Sequence, residues 1–324
     1  MLYLNETDLL EVGADWANLT DTIVNALECM RGGSYVQPIK PYLRFHNPAN
    51  RIIAMPAYIG GPFDTAGIKW IASFPDNPAS GLPRAHSVVI LNDAATGKPY
   101  ALINSPLLSI LRTASVSSVM LRRWLALPNQ QHDRPLNVCL IGCGPIGQWH
   151  VRMLQSVLGP RLGRLTAYDL SEARAQEAAS LAGPSGIAAS DWRDAYAEAD
   201  IVLTCTVSGS RYIDIPPPAG SLLLHVSLRD YMPSALADIE TVVVDDWDEI
   251  CRENTDIEHM YQTAGLRRED SVPLADAVID GGLEVPDGGR LLFSPMGMAI
   301  FDLAVATYYV DLAKERGLGL ELKE

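Results

Sequence analysis

The sequence has 324 residues, 48% of them apolar, and a formal net charge of −14. That length suits two domains better than one core, and the apolar content excludes disordered and collagen-like chains. The negative balance disfavours nucleic acid and anionic membrane as general partners, although it does not exclude a small anionic ligand held by a local site.

Between Arg31 and Arg112, eight Lys and Arg residues face only three acids, Asp64, Asp76 and Asp93. This basic stretch inside an acidic chain reads either as scattered surface charge or as a cationic pocket for a carboxylate. The five cysteines form no C-x-x-C pair, and several sit in apolar runs, as buried free thiols do. No disulfide framework is expected, which fits a reducing compartment. Met1-Leu2-Tyr3-Leu4-Asn5-Glu6 lacks the basic start of a signal peptide, and no apolar run reaches membrane-spanning length. The chain reads as soluble and cytoplasmic.

Taken in order, residues from about Trp16 to Met30 place Leu19, Ile23, Val24 and Leu27 at helical spacing. Strand-like runs follow at Tyr35 to Val36, Arg51 to Met55, Gly67 to Ala72 and Ser87 to Asn92, punctuated by turn signals such as Asn47-Pro48 and Asn77-Pro78. Lys69 stands within an otherwise apolar strand. A helix is expected from about Ser105 through Leu125. The polar segment from Leu127 to Pro135 then reads as a domain boundary.

The middle of the chain alternates strand and helix. Strands are expected at Leu136 to Ile141, Arg164 to Tyr168, Ile201 to Thr206, Ser221 to Val226 and Thr241 to Val244. Helices are expected at Pro145 to Val157, Ser171 to Ala182 with Ser171 as N-cap, and Asp191 to Ala199. Such alternation implies βαβ units and a parallel sheet. The tail from Met298 to Arg316 reads as an amphipathic helix. The expected fold is α/β: a Rossmann doubly wound parallel sheet over 116–299, plus a discontinuous α+β substrate-binding and dimerisation domain over 1–115, completed by 300–324.

The motif of greatest weight is Gly142-Cys143-Gly144-Pro145-Ile146-Gly147. A G-x-G-x-x-G pattern alone is weak, but here a buried strand runs directly into it and a helix opens from it. Gly142 permits the tight turn, Gly144 lets backbone N–H groups approach a diphosphate, and Gly147 lets helix and strand pack closely. The helix N-terminus stabilises the phosphate charge. Asp169 follows the next strand at the distance where an acid meets the adenosine ribose, and a carboxylate there favours NAD over a 2′-phosphorylated cofactor. Arg174 lies near enough to keep the second cofactor in view. A second glycine element, Phe293-Ser294-Pro295-Met296-Gly297-Met298, opens the C-terminal helix. It serves either as a helix cap or as a wall for a nicotinamide ring.

With these elements in view, the chain resembles the ornithine cyclodeaminase/μ-crystallin family over nearly its full length. The shared features are Gly67-Ile68-Lys69, Arg112-Thr113-Ala114, the glycine turn, Thr204-Cys205-Thr206 and Ser294-Pro295-Met296-Gly297-Met298-Ala299. Within the family it looks most like the branch making 2,3-diaminopropionate for siderophores such as staphyloferrin B. The runs that carry this are Val36 to Arg44, Arg51 to Pro56, Asp76-Asn77-Pro78 and Val243-Val244-Asp245-Asp246-Trp247. The resemblance implies NAD-dependent oxidation of N-(1-amino-1-carboxy-2-ethyl)-glutamate, with hydrolysis of the imine to 2-oxoglutarate and L-2,3-diaminopropionate, in a homodimer. The competing readings are an ornithine cyclodeaminase, which borrows and returns a hydride, an imine or ketimine reductase, and a non-catalytic dinucleotide-binding protein like μ-crystallin.

The resemblance also implies site residues. Arg44, Lys69 and Arg112 match cationic positions of the family's substrate site. Lys69 is singled out independently, because an ammonium buried in a strand needs an anionic partner. Asp230 matches the family's catalytic aspartate and follows an apolar strand at its carboxyl end, although Arg229 and Tyr231 replace the cyclodeaminase context around it. Asp230 and Lys69 are thus the catalytic candidates. Gly142, Gly144, Pro145, Ile146, Gly147, Asp169, Thr204, Ser294, Met296 and Gly297 are the cofactor-binding ones. The six histidines show no metal-ligand spacing, so no metal is expected. His150, Cys139 and Cys143 read as packing residues, and Asp245-Asp246-Trp247 as a loop or helix cap.

Overall fold

The protein was analysed as a computed structural model describing residues 1–128 and 134–323. Residues 129–133 of the expected linker, His132 among them, lie outside the described residues. The chain divides into two compact units, residues 1–112 with 297–324, and residues 113–296.

The first unit begins with β1 (Leu2–Asn5) and α1 (Glu6–Val12). A capping box fixes the start of α1: Asn5 accepts the Asp8 N–H, and the Asp8 carboxylate accepts the Asn5 N–H. Helix α2 (Trp16–Arg31) is capped by Asp15 and buries Trp16, Leu19, Ile23 and Leu27, the face expected from spacing. Next come β2 (Tyr35–Val36), β3 (Tyr42–Leu43), β4 (Arg51–Ile59), β5 (Thr65–Ser73), β6 (Ala85–Asp93) and β7 (Pro99–Asn104). Helix α3 (Pro106–Leu125) follows, and the division between units falls within it.

The second unit continues with β8 (Leu136–Ile141), α4 (Pro145–Leu158), β9 (Leu162–Tyr168), α5 (Glu172–Leu181), β10 (Gly186–Ala188), α6 (Trp192–Ala197), β11 (Ile201–Thr204) and β12 (Leu222–His225). It closes with β13 (Thr241–Val244), α7 (Trp247–Ile250), α8 (Asp256–Thr263), β14 (Ser271–Pro273), α9 (Leu274–Val278) and β15 (Leu291–Ser294). The strands form one parallel sheet in the order β10-β9-β8-β11-β12-β15-β13-β14. The chain leaves β8 for β9 on one side and later returns to place β11 on the other. The order therefore reverses at the carboxyl end of β8, where open α/β sheets bind ligands. Strands β8, β11, β12 and β15 are almost wholly buried, which explains their near-continuous apolar sequences.

The chain then returns to the first unit with α10 (Ala299–Arg316) and β16 (Leu320–Glu321). The first unit's sheet has the order β16-β1-β7-β6-β5-β4-β2, with β3 also paired to β4. Its pairings are antiparallel except between β1 and β7. Helix α10 packs on β4, β5 and β6 and beside α1 and α2. The sequence expectation of an amphipathic tail is corrected here. Every residue from Ala299 through Ala306 is buried, so the first two turns are apolar on all sides but for one acid, Asp302.

One local expectation also changes. Ser171 precedes α5 but its side chain caps nothing; its N–H is given instead to Asp169. Asp246, by contrast, caps α7 by accepting the Glu249 N–H, and Asp245 accepts N–H groups from Asp246 and Met296.

Candidate active site

In the second unit, the glycine turn lies between β8 and α4, at the point where strand order reverses. Gly142 has a φ of 97°, and a Cβ there would lie 2.6 Å from the Cys205 carbonyl carbon at the end of β11. A Cβ on Gly147 would lie 2.2 Å from the Gly142 oxygen, so the missing side chain lets α4 start directly against the turn. Gly144 differs: it is the N-cap of α4, has ordinary extended backbone, and its Cβ would meet nothing within 4 Å. Open space at Gly144, next to helix N–H groups that no cap side chain satisfies, is the cradle a diphosphate requires. Pro145 occupies the first helical turn, where its lack of an N–H costs nothing, and Ile146 follows it.

Asp169, at the end of β9, accepts the Cys143 N–H at 2.8 Å and the Ser171 N–H at 2.9 Å. It therefore ties the glycine turn to the neighbouring strand as well as offering a carboxylate beside it. Cys139 and Cys143 are buried, and burial pushes both thiols up to about 12, as packing residues behave. His150 is buried with its ring between the Ile146 carbonyl and the Ser117 hydroxyl, and burial lowers it to about 4.

The carboxyl ends of β11 and β12 carry a buried polar network of which the sequence signalled Asp230 and the Thr204-Cys205-Thr206 run but not His225 or Asp256. Asp230 has no exposed surface, and its two carboxylate oxygens accept the hydroxyls of Thr206 and Ser227. The His225 ring runs from Thr204 Oγ1 at 2.8 Å to Asp256 Oδ2 at 2.8 Å, with its Nδ1 3.7 Å from Asp230. Asp256 Oδ2 also accepts the backbone N–H groups of Asp230 and Tyr231, and its Oδ1 accepts Arg211 Nε at 2.6 Å. Burial opposes the charged form of Asp256. The hydrogen bond and charge of His225, the Tyr231 N–H and Arg211 together outweigh it and hold the carboxyl below its ordinary value. The Thr204 hydroxyl thus meets the His225 ring. Ser294 Oγ at the end of β15 is buried without a partner, while the Met296 N–H goes to Asp245.

In the first unit, Lys69 projects from β5 and Arg112 from α3 onto one oxygen of Asp302 on α10. Lys69 Nζ lies 2.9 Å and Arg112 Nε 2.8 Å from Asp302 Oδ1. Lys69 also reaches Ser109 Oγ at 3.1 Å. Lys40, also buried, donates to the Gly297 carbonyl at 2.7 Å. Gly297 has a φ of 84°, and a Cβ on it would lie 2.7 Å from the Arg112 guanidinium. Within this unit Gly297 makes room for Arg112 and its carbonyl accepts from Lys40. Lys69 and Arg112 thus share one carboxylate oxygen, and Lys40 lies near enough to act on Lys69 through its charge. Desolvation pushes Lys69 down to about 7, with the charges of Arg112 and Lys40 acting in the same sense and Asp302 opposing them.

Arg44 does not join this cluster. It is exposed, donates to the Pro48 carbonyl, and stacks with Arg51 against the Tyr42 ring. The registers of β3 on β4 and β4 on β5 align Arg44 with Ser73, about 13 Å along the strand direction from Lys69. Lys40 and Asp302 were absent from the residues singled out for the site. An acid inside the apolar run Ala299 to Ala306 is the same kind of signal that marked Lys69. Lys40 gave none beyond its place in the basic stretch. Among the described residues, no group of three or more His, Cys, Asp or Glu could hold a metal ion, and no helix is long and apolar enough to cross a membrane.

The profile of the ornithine cyclodeaminase/mu-crystallin family matches residues 6–216. The chain belongs to that family. Its members include N-((2S)-2-amino-2-carboxyethyl)-L-glutamate dehydrogenase of Staphylococcus aureus, 33% identical to this chain over 99% of it and 98% of the relative. An archaeal alanine dehydrogenase dimer with bound NAD is 25% identical with a TM-score of 0.83, the match covering 100% of this chain and 99% of that one. A Δ1-pyrroline-2-carboxylate reductase of Thermococcus litoralis, solved with NADH and L-proline, superposes with a TM-score of 0.86 at 21% identity over 99% and 100% of the two chains. At that identity the last comparison speaks for the fold alone.

Proposed function

We propose that this family member is an NAD-dependent dehydrogenase acting on a C–N bond. Its substrate is N-((2S)-2-amino-2-carboxyethyl)-L-glutamate, and its products are 2-oxoglutarate and L-2,3-diaminopropionate. The observation that carries the reading is the full-length likeness to the Staphylococcus aureus enzyme, 33% identical over 99% of this chain. Lys69 and Arg112, both buried and both on one oxygen of Asp302, are the donors placed for a substrate with three carboxylates.

NAD, when bound, would supply the hydride acceptor. The turn of Gly142, Gly144, Pro145, Ile146 and Gly147 would hold its diphosphate with backbone N–H groups, Asp169 would take the ribose hydroxyls, and Ser294, with its unpaired hydroxyl, would contact the nicotinamide end. Arg112 and Lys40 hold substrate carboxylates, with Arg112 placing paired N–H donors. Lys69 takes the proton of the secondary amine as the glutamyl Cα loses its hydride, leaving an imine between that carbon and nitrogen. Asp230 takes a proton from the water that adds to the imine carbon while protonated Lys69 returns its proton to the nitrogen; Asp230 then passes its proton to that nitrogen as the C–N bond breaks and the hydroxyl loses its own proton to solvent, giving the keto acid and the free amine. Thr206 and Ser227 orient Asp230 for this step, and Asp256 fixes its peptide.

Lys69 gives this scheme a pH signature. As a base it must be neutral in the free enzyme, so kcat/KM is expected to rise with pH through about 7 and then level. Lys69→Arg keeps the charge but cannot lose its proton. That variant is expected to lose the limb near pH 7 along with about 100-fold or more of activity. An unchanged limb in the variant would assign the titration to another group.

We also propose a homodimer. Val36, Ile39, Leu43 and Phe45 leave apolar side chains exposed around β2 and β3, a patch suited to a second copy of the chain. Sedimentation equilibrium is expected to give twice the chain mass, with Leu43→Asp shifting it toward one. A monomeric wild type would refute this assembly.

The reaction itself is tested by supplying the conjugate, L-ornithine or L-alanine with NAD and following NADH and ammonia. NADH with 2-oxoglutarate from the conjugate supports the proposal; ammonia from ornithine with no net NADH would replace it with a lyase.

A further inference from the structure

Asp302 is more than a counter-ion. Its Oδ1 receives both Lys69 and Arg112, yet its Oδ2 is fully buried and receives nothing. Lys69 and Arg112 converge on the same oxygen when either could have been shared across two. A carboxylate oxygen taken from water and given no donor is costly, and such a group in a native structure calls for an explanation, a bound ligand among them. Ser87 Oγ is a second orphan of the same region. It is buried without a partner on β6, on the face of the sheet that carries Lys69. Lys69 pairs with Val89 and Ile71 with Ser87, so Ser87 is the diagonal neighbour of Lys69.

We infer that Asp302 Oδ2 is the receptor for the substrate's amine, completing with Lys40, Lys69 and Arg112 a site that recognises an amino group and a carboxylate together. The ligand class is an α-amino acid or its N-substituted derivative: the carboxylate meets the cations and the N–H meets Asp302. Asp302 sits in the first turn of α10, held from moving by the burial of its neighbours on every side, so the acceptor is preorganised. Placed there, it orients the nitrogen whose neighbouring carbon gives up hydride, and it keeps that N–H within the same group of side chains as Lys69. Ser87 is positioned to contact the same ligand.

This inference rests on the proposed amino-acid chemistry but not on the identity of the amino acid. Its test is calorimetric binding of matched ligand pairs to the NAD-saturated chain: L-glutamate against glutarate, L-alanine against propanoate, L-ornithine against 5-aminopentanoate. The wild type is expected to bind the amine-bearing member of at least one pair tenfold or more tighter. Asp302→Asn keeps an oxygen for Lys69 and Arg112 and turns an NH2 toward the ligand. It is expected to abolish or reverse that preference while amine-free binding is unchanged or stronger. An equal loss for both members would show a counter-ion only and overturn the inference, as would a wild type indifferent to the amine in every pair. A preference found with ornithine or alanine but not glutamate would refute the glutamyl substrate and leave Asp302 as the amine receptor. Should Asp302→Asn fail to fold, Asp302→Ser combined with Lys69→Met removes opposite charges together. The ratio within each pair is again the readout, with a lost preference supporting the assignment and a retained one overturning it.

Discussion

Asp230→Asn is expected to lower turnover by about 100- to 10,000-fold while the chain still folds and still takes up NAD. The substitution keeps the size of the side chain. Thr206 and Ser227 can each rotate a hydroxyl to suit an amide, and the Asp230 N–H remains bonded to Asp256. What is lost is a group that can accept a proton. Replacing charge-assisted hydrogen bonds with neutral ones costs about 1–3 kcal/mol of stability, far less than is needed to unfold a domain of this size. Steady-state kinetics beside a melting curve separates the two effects. KM is expected to change little, because Asp230 acts on water and not on the substrate carboxylates. Turnover near the wild-type value would remove Asp230 from the reaction and leave it as a buried structural acid.

Gly144→Ala and Gly147→Ala are expected to fail in different ways. At Gly147 a methyl group would meet the Gly142 oxygen at 2.2 Å, a backbone atom rather than the end of a flexible side chain. Helix α4 must shift from the end of β8, and both stability and NAD affinity fall, stability by about 1–3 kcal/mol. At Gly144 the backbone is ordinary and the space is open, so Ala should fold with an unchanged melting temperature. Its methyl then occupies the face that the diphosphate approaches, and NAD affinity is expected to drop by about 100-fold, or about 2.7 kcal/mol. Comparable affinity in Gly144→Ala and wild type would place the diphosphate elsewhere.

The second unit was legible in the sequence because its signals are local. A buried strand, a glycine turn and a helix lie within one short segment, and Asp169 ends the next strand. The apolar runs of β8, β11 and β12 need no partner to be recognised, since burial on both faces removes polar residues from either side. The first unit's site was legible only in part. Lys69 stood out as an ammonium within a strand, but its partner Asp302 is 233 residues away, and Lys40 meets Gly297 across 257. No spacing rule links such positions; they meet because α10 returns to the face of β4, β5 and β6. Arg44 shows the converse. It sits in a run that resembles the family, yet β3 ends beside β4 in a register that leaves its side chain exposed. The Asp256–His225–Thr204 network was likewise hidden, because its members are polar residues in loops and strand ends whose burial only the packed sheet reveals. The tail helix misled for a related reason. Two turns with no polar face do not show the periodicity that an amphipathic assignment requires.

The account depends on backbone N–H groups at the start of α4 gripping a diphosphate while Asp169 accepts the neighbouring sugar hydroxyls. Titration calorimetry of the folded chain with NAD and with its 2′-phosphorylated counterpart measures this directly. One NAD per chain, bound markedly more tightly than the phosphorylated form, is the expected result. Folded protein that takes up neither dinucleotide would contradict the account at its base.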